Sequence, residues 1–415
     1  MHASSSQALI TKYKTALSGL AIQDGDFDFG DLVTRLEPLY KEVKKTAAEL
    51  ISADNLEIRV IFDVIKTVTP DMTGKLLHLL GEAKLLEMAQ SFEQLIASQP
   101  EKCSVSIPLD SQLPEGVHKI VLAENVFLET ISSNDKGGSS DKASALVLAL
   151  AGGHTSEPRD NKAFLTVHVS GYSFLGRLTE KGVRDAYALL RQVIYLGLGA
   201  DCFTHKSWST SFKPIKAILN TATNGTKKID FPPSFQAYIA NLQIAEGAFK
   251  RSYLLGPSPD TPEGKIENYQ QRAKIISDFT KRPANEIAGI DRAIDWAFEA
   301  ILNRNHEKGF VQTCIGLETI LGDDNLQDHI TKRLADRASY LLASDRMKRA
   351  EIGADIEKIY RLRSQVVHGR QNITTADEEL VSNADNYLRR CIMKEIQSLA
   401  NSDSGLLKYF SLGGS

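Results

Sequence analysis

Arg361, Arg363 and His368 lie close together in YRLRSQVVHG, Tyr360 to Gly369. Side chains of these types can cut RNA without a metal. A base must take the 2′-hydroxyl proton, an acid must protonate the leaving 5′-oxygen, and a cation must meet the charge on the phosphorane. Histidine serves as base or acid near neutral pH. Arginine offers a planar fork to phosphate oxygens. One chain supplies few such groups, so two copies facing each other across a dimer would make a fuller set.

The surrounding residues bear on which arginine can join the histidine. Ile359, Leu362 and Val366 recur at helical spacing and predict a buried face. At about 100° per residue, Arg361 returns almost to the face of His368 two turns away, whereas Arg363 is rotated from it by roughly 140°. Arg363 converges with His368 only if Gly369 ends the helix and the histidine occupies a loosened last turn. A cation near a helix C-terminus is also favoured by the macrodipole. A solvated basic helix end is therefore the competing account of the same residues.

The elements that must position this stretch are helices. Ile290 to Asn303, Phe310 to Leu321, Asp328 to Leu342, Ala350 to Val367 and Asp377 to Leu399 all suit amphipathic helices, and short turns between them predict an up-and-down bundle. Thr375-Ala-Asp-Glu378 reads as a capping box opening the last. Ahead of the bundle, GPSPDTPEG carries three prolines and two glycines and suits a connection between domains. The expected division is residues 1–254 as an α+β region, 255–284 as linker and lead-in helix, 285–400 as the bundle and 401–415 as a tail.

The earlier region mixes periods. Residues 31 to about 100 read as helices broken at Pro70 and Gly74. CSVSIPL, HKIVLAENVFLETI, SALVLALA and AFLTVHVSGY read as strands of one sheet. Arg184 to Leu198 returns to helical spacing, so the fold class expected for the chain is α+β. DGDFDFGD, Asp24 to Asp31, starts like an EF-hand loop, but Phe29 stands where the turn glycine belongs and Arg35 where the bidentate glutamate belongs. It reads as an acidic loop before a helix. AGGHTSEP, Ala151 to Pro158, lacks the lysine and hydroxyl of a phosphate loop, and His168 inside a strand reads as structural.

Bulk properties narrow the classes. The net charge of −3 is unlike that of a protein coating nucleic acid along its whole surface, so any such contact needs a local patch. Between Lys332 and Arg370, ten basic residues face five acidic ones, which supplies one. Cys103, Cys202, Cys314 and Cys391 are far apart with no CxxC pair, against a disulfide framework or a zinc knuckle. The longest apolar run, Ala143 to Ala151, is too short for a membrane span. The simplest reading is a cytoplasmic protein without metal or other cofactor.

GLETILG (Gly316 to Gly322), KRLADRASYLLA (Lys332 to Ala343) and above all YRLRSQVVHG resemble the HEPN superfamily, most closely its Apea-like branch from prokaryotic abortive-infection proteins. The likeness covers roughly residues 285 to 400. The family signature is an arginine, four to six residues of any type, then a histidine. Arg363 and His368 satisfy it with four between them and Arg361 with six, while the Arg-Ser-x-x-Val-His-Gly wording of the branch favours Arg363. The resemblance implies a metal-independent endoribonuclease of antiviral defence or abortive infection, acting as a homodimer, with Arg363 and His368 as the catalytic pair. It implies Glu318 as a polar supporting residue, with Arg361, Ser364 and Arg370 supporting or touching RNA. The N-terminal region would sense a trigger or a regulatory partner. Two departures stand out: Ser364 follows the arginine where many active members carry Asn, Asp or His, and Arg370 stands where the branch paired with nucleotidyltransferases has a tyrosine. Some relatives only bind, so a non-catalytic module holding RNA or a partner protein is the alternative.

Overall fold

Leu9, Tyr13 and Leu17 recur every fourth residue and are fully buried, which places helix α1 (Ala3–Ser18) ahead of the span expected to be helical. The computed structural model describes residues 3–47, 53–97, 101–130, 162–171, 173–174, 177–178, 180–205, 217–221, 225–250, 261–303, 305–322 and 330–403. The strand expected at SALVLALA, the GGSSD turn, the AGGHTSEP loop and most of the GPSPDTPEG stretch fall outside these residues. The chain forms two compact units. One is Met1–Val105 with His168–Ala186 and Ile218–Ile229; the other is Ser106–Val167 with Tyr187–Ala217 and Asp230–Ser415.

In the first unit, α1 packs with α2 (Phe29–Ala47), α3 (Ala53–Ile65) and α4 (Leu76–Ala97). Pro70 and Gly74 lie between α3 and α4, as the breaker residues predict. The Tyr13 ring lies 4.9 Å from that of Phe92 at a tilt of 32°, and its hydroxyl donates to Asp63 at 3.2 Å. The acidic stretch at Asp24 is a hairpin rather than an open loop. Strands β1 (Ala21–Gln23) and β2 (Asp26–Phe27) pair antiparallel, and β3 (Gly74–Lys75) joins the other side of β1. Asp24 and Gly25 turn with φ of 51° and 78°, the left-handed pair a tight hairpin requires. The carboxylates serve the backbone: Asp28 accepts from the Gly30 N–H at 2.7 Å and starts α2.

The main sheet has six strands in the order β12-β11-β4-β7-β6-β5. They are β4 (Glu101–Gln112), β5 (Lys119–Ala123), β6 (Val126–Thr130), β7 (Lys162–Gly171), β11 (Ala217–Thr221) and β12 (Gly225–Ile229). β8 (Ser173–Phe174) with β9 (Arg177–Leu178) and β10 (Phe203–His205) with β13 (Leu242–Ile244) form two-stranded ladders of their own. HKIVLAENVFLETI forms the β5–β6 hairpin, and β6 pairs antiparallel with β7, Leu128 opposite Leu165. Ser106 and Thr166 are buried and hydrogen-bond to each other at 2.9 Å, so neither hydroxyl is left unpaired in the sheet's apolar surroundings.

In the second unit, α5 (Glu180–Gly199) continues past Tyr187, and its Arg191 reaches Asp295 at 2.7 Å and Glu299 at 2.9 Å. After α6 (Pro233–Ile239), Thr261 caps α7 (Pro262–Arg272), and α8 (Lys274–Thr280) leads into the bundle. The five expected bundle helices are all present: α9 (Ala284–Leu302), α10 (His306–Leu321), α11 (Ile330–Leu342), α12 (Arg346–Val367) and α13 (Glu378–Asp403). Ala384, Leu388, Cys391, Ile392 and Ile396 make the buried stripe of α13. Gly316 lets α10 approach it, since a Cβ there would come within 2.6 Å of Leu388. The capping box lies one residue earlier than expected. Thr374 and Asp377 form it, with the Thr374 N–H donating to the Asp377 carboxylate at 2.9 Å, and it opens a short 3-10 turn before α13.

Candidate functional site

Ile359 and Leu362 are buried as the spacing predicts, but Val366 is only half-buried and Val367 is 47% exposed. The helix loses its packed face one turn before its end. There it closes as anticipated: the Gly369 N–H bonds to the Val366 carbonyl at 3.0 Å and the Arg370 N–H to the Gln365 carbonyl at 2.9 Å. This is a Schellman closure, with Gly369 supplying the left-handed residue at φ 64°. His368 is therefore the C-cap, at φ −86° and ψ 6°, with its N–H on the Ser364 carbonyl at 3.2 Å and its imidazole exposed.

Arg363 and Glu318 meet. A terminal nitrogen of the guanidinium lies 3.3 Å from a Glu318 oxygen, with 30% and 32% of the two side chains exposed. Burial raises the Glu318 carboxyl above its ordinary value, and Arg363 opposes that rise. The Nε of Arg363 is buried without a hydrogen-bond partner among the described residues. The pair ties α12 to α10, and the buried Tyr360 hydroxyl repeats the tie by donating to the Cys314 carbonyl at 3.1 Å. Deep burial holds both Tyr360 and Cys314 protonated, raising each far above its usual range. Cys314 is thus no thiolate nucleophile. All four cysteines are free thiols, and all are buried.

The other expected site residues are arranged differently. Arg361, Ser364 and Arg370 carry exposed side chains. Among the described residues, no side-chain hydrogen bond or ion pair joins Arg361, Arg363 or Arg370 to His368. Arg363 is directed into its own bundle, whereas Arg361 and His368 are open to a ligand.

Beside the helix end lies a feature the sequence did not announce. An open groove of about 380 Å³ is floored by Val311, Val366 and Val367 and rimmed by Asn303, Gln312, Glu307 and Lys308. Asn303 donates to Gln312 at 3.2 Å, and Glu307 accepts from the Ile373 N–H at 3.4 Å, which draws the chain after His368 back onto α10. The one available signal was the Val366–Val367 pair just before the histidine. Among the described residues, no three His, Cys, Asp or Glu side chains gather as a metal site would, and no helix is long and apolar enough to cross a membrane. No protein-family model, no curated protein and no solved structure matches this chain.

Proposed function

We propose that the C-terminal bundle is a metal-independent endoribonuclease of the HEPN kind, in which two copies bring His368 and its neighbouring arginines to one RNA phosphate. The observation that carries this reading is the helix end itself: an exposed imidazole at a glycine-closed C-cap, with Arg361 exposed behind it and Arg370 just beyond. His368 acts as base or acid. Arg361 and Arg370 draw the phosphate by charge. Arg363 holds Glu318 in the resting chain and exchanges that carboxylate for an RNA phosphate when RNA binds, both being anions that fit the guanidinium fork; it then meets the charge that builds on the phosphorane. A homodimer is needed because this helix end offers one imidazole where the reaction uses a base and an acid. The role extends to antiviral defence or abortive infection on the family likeness alone. The test is cleavage of single-stranded RNA by the parent and by His368→Ala: the parent cuts and the variant does not. Equal cleavage by both overturns the reading.

A second reading is favoured by the Arg363–Glu318 pair. An arginine committed to its own bundle at 3.3 Å suits a non-catalytic module that binds RNA or a protein partner. In that case RNA is retained intact by both proteins.

A further inference from the structure

We propose that the tip of the α11–α12 hairpin is an anchoring surface for single-stranded RNA, with Tyr340 as its base-stacking platform. Tyr340 is 67% exposed and Met347 is 85% exposed, the two most open large apolar side chains among the described residues. Arg333, Arg337 and Tyr340 follow at i, i+4 and i+7 along α11 and so share one helix face. Across the turn, the Arg349 guanidinium lies 4.3 Å from the Tyr340 ring centroid, and its Nε donates to the Ala343 carbonyl at 2.9 Å. The ring is thus held on one side by a cation fixed to the backbone, which leaves π-surface open for a base.

The charge around the ring is lopsided. Lys332, Arg333, Arg346 and Lys348 are exposed and form no ion pair among the described residues. The nearby acids along the sequence are Asp336, Asp345 and Glu351, and Asp345 is occupied as the N-cap of α12, accepting from the Lys348 N–H at 2.8 Å. Free cations around an open aromatic face match what a single strand needs: charge for the backbone and stacking for a base. A lipid surface would instead need an apolar face running along a helix, and one tyrosine and one methionine at a turn do not make one.

The proposal extends the RNA reading of the helix end without sharing its residues. The 22 residues of α12 separate the tip from His368, a span of about 33 Å at 1.5 Å per residue. The tip therefore anchors a strand and does not touch reacting atoms.

The test uses the full chain carrying His368→Ala, so that binding is read without cleavage, with a fluorescein-labelled single-stranded RNA followed by anisotropy across a salt series. Adding Tyr340→Ala weakens binding about tenfold or more, while Tyr340→Phe retains it. Arg346→Ala with Lys348→Ala lowers the slope of log affinity against log salt by about 1.4. Unchanged affinity in Tyr340→Ala overturns the proposal. So does absence of RNA binding by the parent, or a parent that binds phosphatidylserine vesicles in place of RNA. In the chain with His368 intact, Tyr340→Ala raises KM for long RNA. Tyr340-dependent binding with no cleavage by any form refutes the nuclease reading and sustains the anchor. Cleavage indifferent to Tyr340 does the reverse.

Discussion

The two arginines before His368 differ in what holds them, and that difference is testable. Arg363 shares a half-buried ion pair with Glu318, whereas Arg361 is exposed on the same helix. Arg363→Ala leaves a partly desolvated carboxylate without its cation and costs about 1–2 kcal/mol of stability. Arg361→Ala leaves stability unchanged and weakens RNA binding. Urea midpoints of the two variants, read beside cleavage, check this. Cleavage falls in both, and the fold weakens only in Arg363→Ala. Glu318 adds a pH signature. Its folded-state pKa is raised by burial, so the folded chain holds its proton at pH values where the unfolded chain has released it. Its contribution to stability is present below the ordinary glutamate value, about 4.3, and is lost as pH rises through the raised folded value. Glu318→Gln removes that fall. Arg363→Ala extends it to higher pH, because the opposing cation is gone. A urea-midpoint series against pH that is identical in parent and Glu318→Gln would contradict the assignment. The family resemblance implied Glu318 as a supporting residue, but its partner depends on how α10 packs on α12, which no local pattern encodes.

At the scale of elements, the bundle was legible because its helices are long and their buried stripes keep a 3.6-residue period, as Ala384, Leu388, Cys391, Ile392 and Ile396 do. The hairpin at Asp24 and the short strands β10 and β13 were not, since two or three residues cannot display a period. The capping box slipped by one position because Thr374 and Thr375 are both competent caps, and only the backbone geometry selects Thr374. The close of α12 was legible from Gly369. That glycine sits at φ 64°, and a Cβ there would meet nothing within 4 Å. Gly369→Ala therefore pays the left-handed backbone penalty alone, about 1 kcal/mol, and Gly369→Asn pays less because asparagine tolerates that region. The same substitution disturbs the C-cap that presents His368. Denaturant unfolding and RNA cleavage should both fall in Gly369→Ala and recover partly in Gly369→Asn.

For the whole molecule, the α+β class followed from the change of period along the chain, while the grouping of residues into two units did not. Segments distant in sequence, such as Met1–Val105 and Ile218–Ile229, belong to one unit, and only long-range pairing sets that. Exposed basic residues between Lys332 and Arg370 stand on two separate surfaces at opposite ends of α12. One is the His368 end and the other the Tyr340 tip. A single protomer carries one His368, so sedimentation of the active protein at micromolar concentration should report a dimer. A monomer active as such would remove the need for a second imidazole and with it the two-copy site.

The most direct test of the nuclease reading is end-group analysis of RNA incubated with the pure parent protein in EDTA, with His368→Ala run beside it. The account predicts 2′,3′-cyclic phosphate and 5′-hydroxyl ends from the parent and intact RNA from a folded His368→Ala. Products with 5′-phosphate ends that form only when magnesium is supplied, or the same ends from His368→Ala as from the parent, would contradict it.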